Sequence, residues 1–303
     1  MQNKKQKVLV IVGPTASGKT SLAVMVAKKY EGEVISADSR QVYRGLDIGT
    51  EKITEKEMGG IPHHLIDVCD PKETYTVEMF KQQATDAVAH IFEKGKLPIV
   101  VGGTGWYIDA LIYDHLIPPV PPNPELREAL EKQTNEELLR LLSEKDPKRT
   151  ETIDPHNKRR LVRALEIIDA LGSVPELERK DMVYDALIIG IEADDAALKE
   201  RIEKRLDRAL QGGLIEETKK LHESGVSWQR MDEFGLEYRL AGRFIRGEID
   251  EKTMREEMLR ELWQYVKRQR TWFKRNQDIK WFDMDDTETI LKTIDTFITK
   301  AAD

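Results

Sequence analysis

Residues 8–29 read VLVIVGPTASGKTSLAVMVAKK: a β-branched apolar run, a glycine-bounded turn, then helical sequence. The turn, Gly13-Pro14-Thr15-Ala16-Ser17-Gly18-Lys19-Thr20, satisfies G-x-x-x-x-G-K-S/T in the strand-to-helix context that a phosphate loop requires. Its glycines let backbone N–H groups wrap an anion, the helix N-terminus adds partial positive charge, and Lys19 adds a full one. The Thr20 hydroxyl suits a Mg2+ ligand. These eight residues are the candidate diphosphate contacts. The loop specifies a di- or triphosphate and leaves open whether a P–O or a C–O bond breaks.

Further apolar runs at Val34 to Ala37, Leu65 to Val68, Leu97 to Val101 and Ala186 to Ile191 alternate with helix-length segments. Strands with few polar interruptions belong to a sheet buried on both faces. The fold class is α/β, a P-loop NTPase-like parallel sheet core flanked by helices. Residues 117–124, IPPVPPNP, form a stiff connector, and Leu-, Glu- and Arg-rich helical sequence follows to Leu171. We therefore place a helical insertion domain at 116–184, with the core spanning 1–115 and 185–303. From Asp194 onward the pattern is mostly helical, with Gly212-Gly213, Gly225 and Gly247 as stops.

The 303 residues carry 48 basic and 55 acidic side chains, a net charge of -7, so any nucleic-acid surface must be a local patch. No apolar run reaches the roughly 18 residues that span a bilayer, and no signal peptide is evident. A cytoplasmic monomer with no membrane association is expected. One cysteine, Cys69, excludes an internal disulfide and a multi-cysteine zinc site and reads as packing. His63-His64 would point to opposite faces of a strand, with no third ligand apparent.

A guanine-reading Asn-Lys-x-Asp is missing, since Asn3-Lys4 and Asn157-Lys158 lack the aspartate. The strand at 97–101 ends in Gly102-Gly103-Thr104-Gly105 instead of a metal-binding carboxylate, which suggests a second anion-facing turn. Asp38 does end a strand, and strand C-termini share one edge of a parallel sheet, so it belongs beside the cradle. Two stripes, KRRLVR at 158–163 and KRQRTWFKR at 267–275, hold four and five basic residues with no acidic one. Phosphate contact is their natural use. Within the second, Trp272 and Phe273 read as packing, because Leu259, Trp263, Val266 and Phe273 share a helix face.

These blocks, with ISADSRQVYRGLDIGTEK at 35–52, IPHHLIDV at 61–68, VVGGTGWY at 100–107, DPHNKRRLVRALEI at 154–167 and LKERIEKRLDRAL at 198–210, closely resemble the tRNA dimethylallyltransferase family, its bacterial members most. The resemblance covers nearly the whole chain in order. It implies transfer of a dimethylallyl group from dimethylallyl diphosphate to N6 of adenosine 37 in the tRNA anticodon stem-loop, with Mg2+ as cofactor. By the same resemblance Asp38, Thr20 and Arg205 are catalytic. The resemblance also implies that Asp38, Ser39, Arg40, Gln41, Thr104, Gly105, Arg159, Arg160, Arg163, Lys267, Arg268, Gln269 and Arg270 face tRNA and that the insertion grips it. The chemistry agrees: a guanidinium bridges diphosphate oxygens, and a carboxylate accepts the proton of an amine under alkylation. Arg201, one turn before Arg205, faces the same side. Departures lie at Glu233-Phe234-Gly235-Leu236-Glu237-Tyr238-Arg239, where relatives show Gly-Tyr-Arg/Lys, and at Trp106, where a smaller aliphatic is commoner. Outside the resemblance, the loop alone is compatible with a small-metabolite kinase or a non-catalytic RNA-binding ATPase.

Overall fold

The computed structural model describes residues 5–115, 117–175 and 181–300, in two compact units: 1–114 with 181–303, and 115–180. The larger unit begins β1 (Lys7–Val12), α1 (Lys19–Lys29), β2 (Gly32–Ser36), α2 (Glu55–Met58), β3 (His63–His64), α3 (Val77–Glu93), β4 (Leu97–Gly102) and α4 (Gly105–Ile112). The smaller unit holds α5 (Pro124–Glu131), α6 (Asn135–Lys145), α7 (Pro147–Thr152) and α8 (Lys158–Leu171). The larger resumes with β5 (Asp185–Glu192), α9 (Asp195–Gln211), α10 (Leu214–Glu223), α11 (Trp228–Phe234), α12 (Leu236–Ile245), α13 (Glu251–Lys274), β6 (Ile279–Asp283) and α14 (Thr287–Thr299).

Among the described residues the six strands are all parallel, in the order β3-β2-β4-β1-β5-β6. β1 shows why both faces must be covered. Val8, Val10 and Val12 enter one apolar cluster with residues of α3, α4 and α9–α13, while Leu9 and Ile11 enter the other with α1 and α14. Side-chain alternation along the strand thus feeds two cores, and every carboxyl end of the sheet opens on the same edge.

Two strand readings need correction. Residues 65–68 are not a strand: Leu65 and Asp67 adopt φ of 62° and 56°, which ends the ladder at His63–His64. Leu65 is buried from that turn, so its apolarity reports burial and not pairing. Ile279–Asp283, within sequence read as helical, is the edge strand β6, paired with β5 from Ile188↔Ile279 to Glu192↔Asp283.

The two histidines separate as adjacent strand residues must. His64 Nε2 lies 2.8 Å from Glu33 Oε2, and His63 Nδ1 lies 2.8 Å from the Ile61 carbonyl. Glu33 is buried in β2 and also receives Lys94 and Lys96 at 3.2 and 2.7 Å. Burial alone would raise its pKa, but Lys96, His64 and Lys94 outweigh it and bring it to about 2. Cys69 is buried, its thiol pKa raised by burial, and its backbone forms an isolated parallel bridge with Tyr43.

In the smaller unit Leu130, Leu138, Leu142, Leu161, Leu165 and Ile168 form a separate core. Side chains of Asn123, Thr134, Asp146 and Asn157 cap its four helices. Buried Glu166 accepts from the Asn123 N–H at 2.7 Å and from Arg127 Nε at 2.8 Å, and it pairs with Arg163. These donors overcome burial and hold its pKa at about 2.

Candidate active site

β1 delivers the loop Gly13–Thr20 to the sheet edge, and Gly18 begins α1 at φ 85°, a conformation glycine alone adopts without strain. No side chain caps α1, so its first-turn N–H groups face the cradle without one. Lys19 Nζ reaches back across the loop to the Pro14 carbonyl at 3.2 Å. Burial lowers its pKa to about 8, with Asp38 opposing and Arg205 adding to the fall. Ser17 Oγ is buried with no hydrogen-bond partner among the described residues, and Thr20 is exposed at the helix start.

The second wall comes from β2. Asp38 Oδ1 accepts the Arg40 and Gln41 N–H groups at 2.8 and 3.3 Å, which fixes the carboxylate by one oxygen. Its Oδ2 makes no hydrogen bond to any described residue. Ser39 N–H donates to Thr104 Oγ1 at 3.1 Å and Thr104 N–H to the Ala37 carbonyl at 3.2 Å, so the ends of β2 and β4 are stitched together. Gln41 Nε2 donates instead to the Thr50 and Glu51 carbonyls, both at 3.3 Å, a scaffold role.

Helix α13 closes the third side. Gln269 Oε1 accepts the Thr15 N–H at 2.9 Å and its Nε2 donates to the Gly103 carbonyl at 3.0 Å, joining the phosphate loop to the glycine turn. Gly105 lacks a Cβ because Trp272 lies against it: a methyl there would sit 2.1 Å from Trp272 Cδ1. Trp106 meets Trp272 edge-on with centroids 6.2 Å apart.

Arg205 and Arg201 resolve cleanly. Arg205 Nη1 bonds the Thr15 hydroxyl in the loop, and its Nε pairs with Glu51 Oε2 at 3.2 Å. Arg201 Nη1 turns to Met284 Sδ at 3.3 Å.

Three residues near the crevice escaped the sequence reading: Glu51, which pairs with Arg205, and Glu237 and Tyr265, which feel the charges of Asp38, Arg40 and Arg205. Burial raises the Glu237 pKa against the opposing charges of Arg205 and Arg40, and burial with the Asp38 charge pushes Tyr265 up to about 12. In the divergent segment Gly235 separates α11 from α12, Tyr238 donates to Glu217 Oε1 at 2.7 Å, and Arg239 pairs with Glu261. The intervening Glu237 lies within the electrostatic reach of Arg205, Arg40 and Asp38.

The basic stripes divide. Arg159 and Arg160 on α8, and Lys267 and Arg268 on α13, are exposed. Three residues read as RNA contacts face protein instead. Arg163 serves buried Glu166 and the Val120 carbonyl, the latter at 2.9 Å. Gln269 is buried, and Arg270 holds Asp195 and the Ala193 carbonyl. Helical rotation explains the last two: one step of about 100° carries the chain from exposed Arg268 to inward Gln269.

A phosphate cradle at the carboxyl edge of a parallel sheet, an arginine laid on it and a carboxylate with one free oxygen define a P-loop group-transfer protein. The sequence model of the IPP transferase family matches residues 41–276, and that of isopentenyl transferase matches 6–74. The tRNA dimethylallyltransferase of Bacillus subtilis (strain 168) is 38% identical over 293 residues, 94% of this chain and 93% of the relative. That of Halalkalibacterium halodurans is 41% identical over 294 residues, covering 94% and 93%. The crystal structure of the tRNA isopentenylpyrophosphate transferase from Bacillus halodurans superimposes with a TM-score of 0.74 at 39% identity, covering 97% of both chains. A eukaryotic dimethylallyltransferase acting on tRNA gives 0.82 at 28% identity, covering 97% of this chain and 80% of that one. The chain belongs to the tRNA dimethylallyltransferase family.

Proposed function

We propose that the crevice transfers a dimethylallyl group from dimethylallyl diphosphate to N6 of adenosine 37 in tRNA. One observation carries the assignment of roles: Asp38 keeps a free carboxylate oxygen on the edge that also bears the phosphate loop and Arg205. The C1–O bond of the donor breaks and a C–N bond forms. Diphosphate leaves with the bonding pair, and the N6 proton passes to Asp38 Oδ2. Lys19, Arg205 and the loop N–H groups bind the charge that grows on the leaving group.

Among the described residues no cluster of three or more His, Cys, Asp or Glu side chains could hold a metal alone. The exposed Thr20 hydroxyl fits a cation of the Mg2+ type, which keeps several waters and shares its ligands with substrate phosphates. When bound, that ion supplies neutralising charge at the diphosphate. Stacked adenine does not offer N6, so the base enters the crevice extruded, at a cost of a few kcal/mol. Arg159 and Arg160 of the smaller unit provide a phosphate-binding face for the anticodon stem-loop.

The test incubates unmodified tRNA with dimethylallyl diphosphate, and separately with ATP and candidate acceptors. Mass spectrometry should show the isoprenoid mass added at one adenosine without ATP consumption. ATP-dependent phosphorylation with unmodified tRNA unchanged defeats the proposal.

A further inference from the structure

Glu51 is placed with unusual care for a side chain on an exposed turn. It adopts φ 47°, a left-handed conformation that costs a non-glycine residue and persists only where its surroundings impose it. Those surroundings are visible. The Glu217 carboxylate accepts the N–H groups of Asp47, Ile48 and Gly49 at 3.1, 2.7 and 3.1 Å, and Tyr238 steadies that carboxylate. Thr50 Oγ1 donates to the Leu46 carbonyl at 2.6 Å, and Gln41 secures the Thr50 and Glu51 carbonyls. Lys52, almost wholly buried, holds the Tyr43 carbonyl at 2.8 Å and Asp47 at 2.6 Å.

What this scaffold presents is one carboxylate clasped between two guanidinium groups. Arg205 Nε lies 3.2 Å from Oε2 and Arg208 Nη2 lies 3.3 Å from Oε1. A guanidinium has two edges for oxyanions. Glu51 takes the Nε side of Arg205, and Nη1 is left pointing into the phosphate loop at the Thr15 hydroxyl. A long, rotamer-rich side chain is thereby ordered before the anion arrives, so less freedom is lost on binding.

We propose that Glu51 is the positioning residue for Arg205, holding the guanidinium by one edge so that the other meets the diphosphate. This rests on the prenyl-transfer reading only in taking diphosphate as the leaving group. The experiment measures binding of inorganic diphosphate with Mg2+ by calorimetry, using the full chain. Wild type should bind, Arg205→Ala should bind weakly, Glu51→Ala should weaken binding about tenfold, and Glu51→Gln should recover most of that loss. In an Arg205→Ala background, removal of Glu51 should leave affinity unchanged or improved, since a lone carboxylate beside the cradle repels the anion. Glu51→Ala binding as tightly as wild type, or losing the same factor with Arg205 absent, overturns the positioning role alone. Wild-type protein that binds no diphosphate overturns the functional reading and this role together.

Discussion

Asp38→Asn separates the two jobs of this side chain, because the oxygen proposed as proton acceptor, Oδ2, is not the one that holds the loop. Oδ1 accepts the Arg40 and Gln41 N–H groups at 2.8 and 3.3 Å, and an asparagine carbonyl accepts the same pair. Oδ2, bonded to nothing described, becomes an amide nitrogen that has no lone pair for a proton. The loop should keep its shape while the base is lost. Loss of a general base costs typically 10²–10⁴ in rate, and we expect Asp38→Asn to fall in that range. Diphosphate and tRNA affinities should stay within about twofold, because neither backbone hydrogen bond of the loop is broken. Asp38→Ala, in contrast, also removes both acceptor bonds, worth about 1.5–3 kcal/mol each when the acceptor is charged, and should loosen residues 39–41 as well. The assay is single-turnover prenylation of saturating tRNA, followed by mass spectrometry, beside direct binding of both substrates. Undiminished turnover in Asp38→Asn would remove Asp38 as the proton acceptor. Equal loss of tRNA affinity in both variants would make its role purely architectural.

Glu33→Gln should cost stability on the order of 3 kcal/mol at neutral pH, the value of a pKa moved from 4.5 to about 2. A depressed carboxylate stabilises above its unfolded pKa, so the difference in unfolding free energy from wild type should shrink as pH falls from about 4.5 towards 2; a constant difference would discount the charge cluster. Gln269→Met leaves the Thr15 N–H and Gly103 carbonyl unpaired in a buried place, at about 1–3 kcal/mol each, and should raise the donor KM while lowering Tm; an unchanged donor KM would show that the bridge does not shape the loop. Replacing Arg159 and Arg160 with Gln should weaken tRNA binding and reduce the slope of log K against log salt by about 1 to 2, with Tm unchanged. Arg163→Gln should do the reverse, lowering Tm and leaving the slope, because its partner is buried Glu166 and not solvent.

The phosphate loop and four of the six strands were legible because each is a local pattern, an apolar run ending in turn residues. β6 was not: Ile279–Asp283 reads IKWFD, an apolar run broken by Lys280 and ended by Asp283, and only pairing with β5 makes it a strand. The segment after His64 misled in the opposite sense, since Leu65 is apolar for burial in a turn. Asp38 was legible by topology, because any strand-end carboxylate in a parallel sheet must share an edge with the loop. Glu51, Glu237 and Tyr265 carry no such signal. They come from a turn, α12 and α13, and each is an ordinary residue within a charge-rich or apolar stretch until the chain folds.

The same limit governs the basic stripes, where composition counted charges without their partners. KRRLVR holds four cations, yet the burial of Glu166 commits Arg163 inward, since a buried carboxylate without a counter-charge would be far costlier than a surface arginine withdrawn from solvent. In KRQRTWFKR the residue between Arg268 and Arg270, Gln269, is the one that joins the phosphate loop to the glycine turn. One helix step thus divides the stripe into two faces, Lys267 and Arg268 open to solvent and Gln269 holding the phosphate loop against the glycine turn.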